Sequence, residues 1–80
     1  MKLGDVVIFE DYYHNDLMSG IIVTTGRGDL DGYYEVMASQ RYVSGEATSD
    51  PYTFWTDRED LFSMADWEEW GQEEYGELLQ

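Results

Sequence analysis

Cysteine is absent, proline and histidine occur once each, and only four of the 80 residues are basic. Each gap excludes something. Without cysteine there is no disulfide and no thiolate metal site. One histidine cannot build a histidine-based metal site alone. Four bases against eighteen acids give a net charge of -14, which disfavours direct binding to nucleic acid or to an anionic membrane surface. No apolar run approaches the ~20 residues of a membrane span. Met1-Lys2-Leu3-Gly4-Asp5 also lacks the plan of a signal peptide, so a cytoplasmic protein is expected. What the chain does have is 42% hydrophobic and 16% aromatic residues, too rich a supply for a disordered chain. Its length predicts one domain with a modest core.

The apolar segments are short and β-branched. Val6-Val7-Ile8-Phe9 predicts a strand over about Asp5–Glu10, and Gly20-Ile21-Ile22-Val23-Thr24-Thr25 a second. The turn formers from Gly26 to Gly32 connect it to a third. In that third strand, Tyr33 to Ala38 with a possible run to Val43, Tyr34, Val36 and Ala38 share one face. Glu35 marks the Tyr33 face as the wet one. Ser44 to Pro51 reads as a loop, and Tyr52-Thr53-Phe54-Trp55 as a fourth strand just after the proline. Thr56-Asp57-Arg58-Glu59 matches a capping box and predicts one helical turn before a short fifth strand, Leu61 to Met64.

Residues 65–80 read as an acidic helix. Trp67, Trp70, Tyr75 and Leu78 fall roughly at helical spacing, and this stripe is first of all a face for docking on the strands. Gly71 and Gly76 each cost ~1 kcal/mol against alanine, so the helix depends on packing.

Lys2-Leu3-Gly4-Asp5-Val6-Val7 looks like the Lys-x-Gly-Asp-x-Val start of many SH3-like small barrels. Phe54-Trp55-Thr56-Asp57-Arg58-Glu59-Asp60-Leu61 is similar to their closing segment, where a helical turn hands over to the last strand. The chain thus resembles the SH3-like barrels found in small phage-encoded proteins. The resemblance implies a mainly β, five-stranded barrel over residues 1–64, with residues 65–80 as an added acidic helix packed on it or extending from it. The signatures of a PxxP-binding groove are not evident, so that activity is not implied.

Residues for chemistry are sparse. His14 has no nucleophile in a recognisable arrangement, and no serine sits in a G-x-S-x-G turn. Asp29-Leu30-Asp31-Gly32 lacks the further ligands of an EF-hand and reads as a turn. No enzyme, no cofactor and no metal are expected.

The charge carries the functional signal. Solubility needs a net charge of only ~2–8 for a small domain, and this chain carries -14. Residues 57–80 hold nine acids and Arg58 as their one base. A fully helical 65–80 segment would span ~24 Å, with one carboxylate per ~4 Å, close to the ~3.4 Å between phosphates along one strand of B-DNA. A second acidic row would have to come from Asp11, Asp16, Glu35, Glu46 and Asp50. Aromatic residues are interleaved with the acids, Tyr12, Tyr13, Tyr33 and Tyr52 among them. Carboxylates supply long-range attraction and aromatics supply desolvated contact. The expected partner is therefore a basic nucleic-acid-binding protein such as a polymerase, nuclease, restriction enzyme or CRISPR effector, met in the host cytoplasm if the chain is phage-encoded. The expected contact surface is Asp66, Glu68, Glu69, Glu73, Glu74 and Glu77, with Trp67 and Trp70 as anchors provided they are exposed. The alternative is an SH3-like adaptor or structural module whose acidity is only solubilising.

Overall fold

The apolar run Val6-Val7-Ile8-Phe9 belongs to a strand with protein on both faces. The computed structural model describes residues 1–11 and 16–76. In it β1 (Val6–Asp11) turns Val7 and Phe9 into one core and Ile8 into another. Strand alternation makes this possible, and burial on both faces removes the polar residue that would otherwise alternate.

Four more strands complete one antiparallel sheet: β2 (Asp16–Thr25), β3 (Tyr33–Arg41), β4 (Ala47–Asp57) and β5 (Phe62–Ser63), in the order β4-β3-β2-β1-β5. The chain is thus mainly β, as expected. The sheet curls. The Phe9 and Phe54 rings, from β1 and β4, meet edge-on at 4.9 Å although two strands lie between them in the order. Register shifts between Ser19 and Gly20, Ile22 and Thr24, and Ala38 and Gln40 bend the strands. Gly20 lets β2 and β3 approach: a Cβ there would lie 2.6 Å from the Met37 carbonyl oxygen.

Inside the curl Val7, Phe9, Met18, Ile22, Val36, Ala38 and Leu61 form the first core. Val36 and Ala38 are buried and Tyr33 is exposed, matching the face assignment for β3. The second core holds Ile8, Leu17, Phe62 and Trp67, with Tyr42 and Tyr75 packed against it. It lies between β1 and a helical segment of residues 64–74, made of Met64–Asp66, a wider π turn Trp67–Gly71, and Gln72–Glu74. The Ser63 hydroxyl caps its start by accepting from the Asp66 N–H at 3.1 Å. No described helix is long and apolar enough to cross a membrane.

Several expectations are corrected. β2 begins at Asp16, because Asp11 pairs with Asp16 across the hairpin. Residues 47–51 are strand, not loop. Pro51 lies inside β4 because β4 ends the sheet, where an N–H can be dispensed with. The turn before β5, Arg58–Asp60, is capped by Asp57 and not by Thr56, which is still in β4. The helical segment stops at Glu74; Tyr75 leaves helical geometry at φ -110, ψ 27. Tyr12, Tyr13, His14, Glu77 and Leu78 lie outside the described residues.

Candidate functional site

The helical segment has two sides of opposite character. Trp67, Gly71 and Tyr75, four residues apart, turn towards the second core. Trp67 is fully buried, and its ring meets Tyr42 at 5.1 Å and Phe62 at 5.5 Å. It therefore leaves the set of contact anchors: a side chain that fills the core cannot meet a partner. Gly71 accounts for the close fit, since a Cβ there would lie 2.6 Å from the Trp67 ring and 3.1 Å from Phe62. The glycine that weakens the helix intrinsically is the one its packing requires. The Trp67 indole N–H has no acceptor among the described residues.

The outer side carries Glu68, Glu69, Glu73 and Glu74, all exposed. Trp70 stands among them, 48% exposed, with one edge against Phe62 at 4.8 Å. Asp66 is half-buried at the start of the segment. No ion pair among the described residues involves these carboxylates, and no base follows Arg58 in the chain. Five acids over 11 residues, ~16 Å at 1.5 Å per residue, give one charge per ~3 Å. The shorter helix thus keeps the charge spacing expected of a longer one.

Three of these charges, on Glu69, Glu73 and Glu74, do not serve the helix. Glu69 and Glu73 stand at i,i+4, where like charges cost about 0.2–0.5 kcal/mol. Glu73 and Glu74 sit in the last turn, where the helix dipole opposes negative charge.

The expected second acidic row divides. Asp11, Asp16, Glu46 and Asp50 meet around a cleft of about 450 Å³ at one end of the sheet. Arg41 joins them and pairs with Asp16 at 3.6 Å. Glu35 does not belong there; it accepts a hydrogen bond from the Thr24 hydroxyl at 2.9 Å. Asp11 is buried and accepts from the Tyr52 hydroxyl at 3.0 Å. Burial, and then the hydrogen bond and charge of Asp11, push the Tyr52 phenol up to about 12. The sequence offered no signal for this pair, whose members lie 41 residues apart.

A neighbouring cleft of about 350 Å³ is mainly aromatic, walled by Phe9, Tyr52, Phe54 and Trp55, with Glu10, Asp11 and Asp60 also lining it. A third, of about 370 Å³, gathers exposed Leu3, Val23 and Leu30 beside Trp55. The turn Gly28–Leu30 is closed by its own backbone, with Leu30 N–H donating to the Arg27 carbonyl at 3.1 Å. Among the described residues no three histidine or acidic side chains converge as a metal site. No protein family, no curated protein and no solved structure matches this chain.

Proposed function

We propose that this chain is a non-enzymatic acidic binding protein that occupies a basic, normally nucleic-acid-binding surface of a partner protein. The observation that supports this most is the outer side of the helical segment. Glu68, Glu69, Glu73 and Glu74 are exposed and in no ion pair among the described residues, and Glu69, Glu73 and Glu74 are placed where they work against the helix that carries them. Charge kept at a cost to folding, at a spacing near that of phosphates along a strand, suits a lysine- and arginine-lined cleft. Trp70 gives such a surface one aromatic contact. The mechanism is competition: carboxylates replace phosphates opposite the partner's cations. A polymerase, nuclease, restriction enzyme or CRISPR effector has the required surface, and the host cytoplasm is where a phage-encoded inhibitor would meet it.

We read the fold as an SH3-like small barrel. The order β4-β3-β2-β1-β5, the curl that brings β1 to β4, and the turn Arg58–Asp60 before β5 all favour it.

The test is capture from nuclease-treated bacterial lysate on the immobilised chain, with elution in salt steps. A nucleic-acid-binding protein that elutes at intermediate salt, and that its own DNA or RNA displaces, is the expected result. Converting Glu68, Glu69, Glu73 and Glu74 to glutamine should abolish its capture. A captured protein that nucleic acid does not displace would overturn the reading. It would favour the adaptor alternative, for which the exposed apolar group of Leu3, Val23, Leu30 and Trp55 is the natural contact.

A further inference from the structure

The curl of the sheet leaves a seam between β1 and β4. Side chains bridge it, through Phe9 on Phe54 at 4.9 Å and Tyr52 on Asp11 at 3.0 Å, but no backbone pairing does among the described residues. β4 is 11 residues long and, among the described residues, ends the sheet and pairs only with β3. Alternate residues of such a strand turn their N–H and C=O groups away from the sheet and can take another strand.

Two clefts lie along this seam and share Asp11 and Tyr52. The aromatic one exposes Tyr52 and Trp55 by 39% and 41%. Among the described residues, the other brings four carboxylates together with one guanidinium, that of Arg41. The groove is thus mainly aromatic at one end, where Glu10 and Asp60 also line it, and most acidic at the other, beside a strand edge that no other described strand pairs.

We propose that this seam is a docking groove for an extended basic segment of a partner protein, added along β4, with an apolar side chain in the aromatic half and a neighbouring lysine or arginine in the acidic half. Charge decides the occupant. A second copy of the chain would bring another -14 to an acidic cleft, and an anionic ligand would meet the same carboxylates. An added strand turns every second side chain towards the groove, ~6.6–6.8 Å apart. One apolar and one cationic residue at i and i+2 can therefore use both halves. The groove is separate from the helical segment, and this inference stands whether or not the partner binds nucleic acid.

The test is an NMR titration of the full ¹⁵N-labelled chain with the blocked peptide Arg-Thr-Arg-Thr-Leu-Thr-Arg-Thr-Arg. Its sequence is the same in both directions, so either strand orientation flanks the leucine with arginines. Amide shifts should centre on Phe9–Asp11 and Tyr52–Thr56. Replacing leucine by serine should weaken binding about tenfold, the effect of one buried apolar side chain. Replacing the arginines by citrulline should remove it. Glu46→Gln with Asp50→Asn, both exposed positions, should weaken binding about tenfold. The glutamine variant of the helical segment should bind the peptide as the parent does. Equal binding of the leucine and serine peptides, shifts centred on residues 66–74, or no binding would each overturn the proposal.

Discussion

The two cores of this protein share one strand and are closed in different ways. Val7 and Phe9 face a core sealed by other strands of the same sheet. Ile8, between them, faces a core sealed by a helical segment through Trp67. The first draws its buried side chains from β1, β2 and β3 and from Leu61, so no single side chain is its lid. The second depends on one tryptophan, one glycine beneath it, and Phe62. A sheet with an acidic helix attached thus differs from a sheet that needs the helix. The outer side of that helix is free for another use only because its inner side is structural.

The largest effect should come from removing the lid. Trp67→Ala should destabilise the protein by about 3–5 kcal/mol, as buried aromatic truncations do. Denaturant unfolding checks it. Val36→Ala in the first core is a smaller truncation among more neighbours, and should cost less, about 2 kcal/mol. A smaller loss from Trp67→Ala than from Val36→Ala would show that the second core is an accessory. For the same reason, deleting residues 65–80 does not separate binding from folding, since it would remove Trp67. Neutral substitutions on the outer side do.

Gly71→Ala is the next sharpest test. Alanine favours a helix over glycine by about 1 kcal/mol. Here, though, the added methyl would lie 2.6 Å from the Trp67 ring. Overpacking of this kind costs about 1–3 kcal/mol. The expected net result is destabilisation by about 1 kcal/mol in thermal or denaturant unfolding, whereas Gly76, with open space around its missing Cβ, should tolerate alanine.

The same contrast separates what was legible in the sequence from what was not. Alternation in Tyr33 to Ala38 identified the inner face of β3, because a sheet residue's direction follows from its position alone. The run Val6 to Phe9 identified a strand but not its second buried face, since unbroken apolar character does not say what covers it. Trp67 and Trp70 stood together as possible anchors. Only the tertiary structure separates them, through a π turn and a glycine that no periodicity predicts. Pro51 misled because its penalty depends on whether the strand is an edge. The acids of the helical segment were legible as charge. The Asp11–Tyr52 pair was not, because the curl of the sheet brings its members together.

The seam offers a smaller effect with a pH signature. Tyr52→Phe removes a hydrogen bond to a carboxylate from a ring that is 39% exposed, and should cost about 1 kcal/mol at neutral pH. The phenol is held at about 12 in the folded chain against ~10 when free. Below pH 10 it is protonated in both states and its contribution is complete. Above that the unfolded chain releases the proton first, so the contribution fades between pH 10 and about 12. Parent and Tyr52→Phe unfolding curves should differ at pH 8 and converge as pH rises through that window. A difference that does not shrink would mean that ring packing, not the hydrogen bond, supplies the stability.

The smallest effect on folding should be the most informative. Glu68, Glu69, Glu73 and Glu74 changed together to glutamine keep the shape of the outer side and leave a net charge of -10, four units less negative than -14. Removing the i,i+4 repulsion and the two charges at the unfavourable end of the helix dipole should raise stability by about 0.5 kcal/mol. Partner capture should meanwhile be lost, and any residual binding should depend less steeply on salt. The two changes have opposite signs, which no misfolded variant can imitate. Charges that weaken the helix while they strengthen binding are held for the partner. Had they been solubilising only, their removal would leave capture as it was, and the inner side of the helix would be the whole of its purpose.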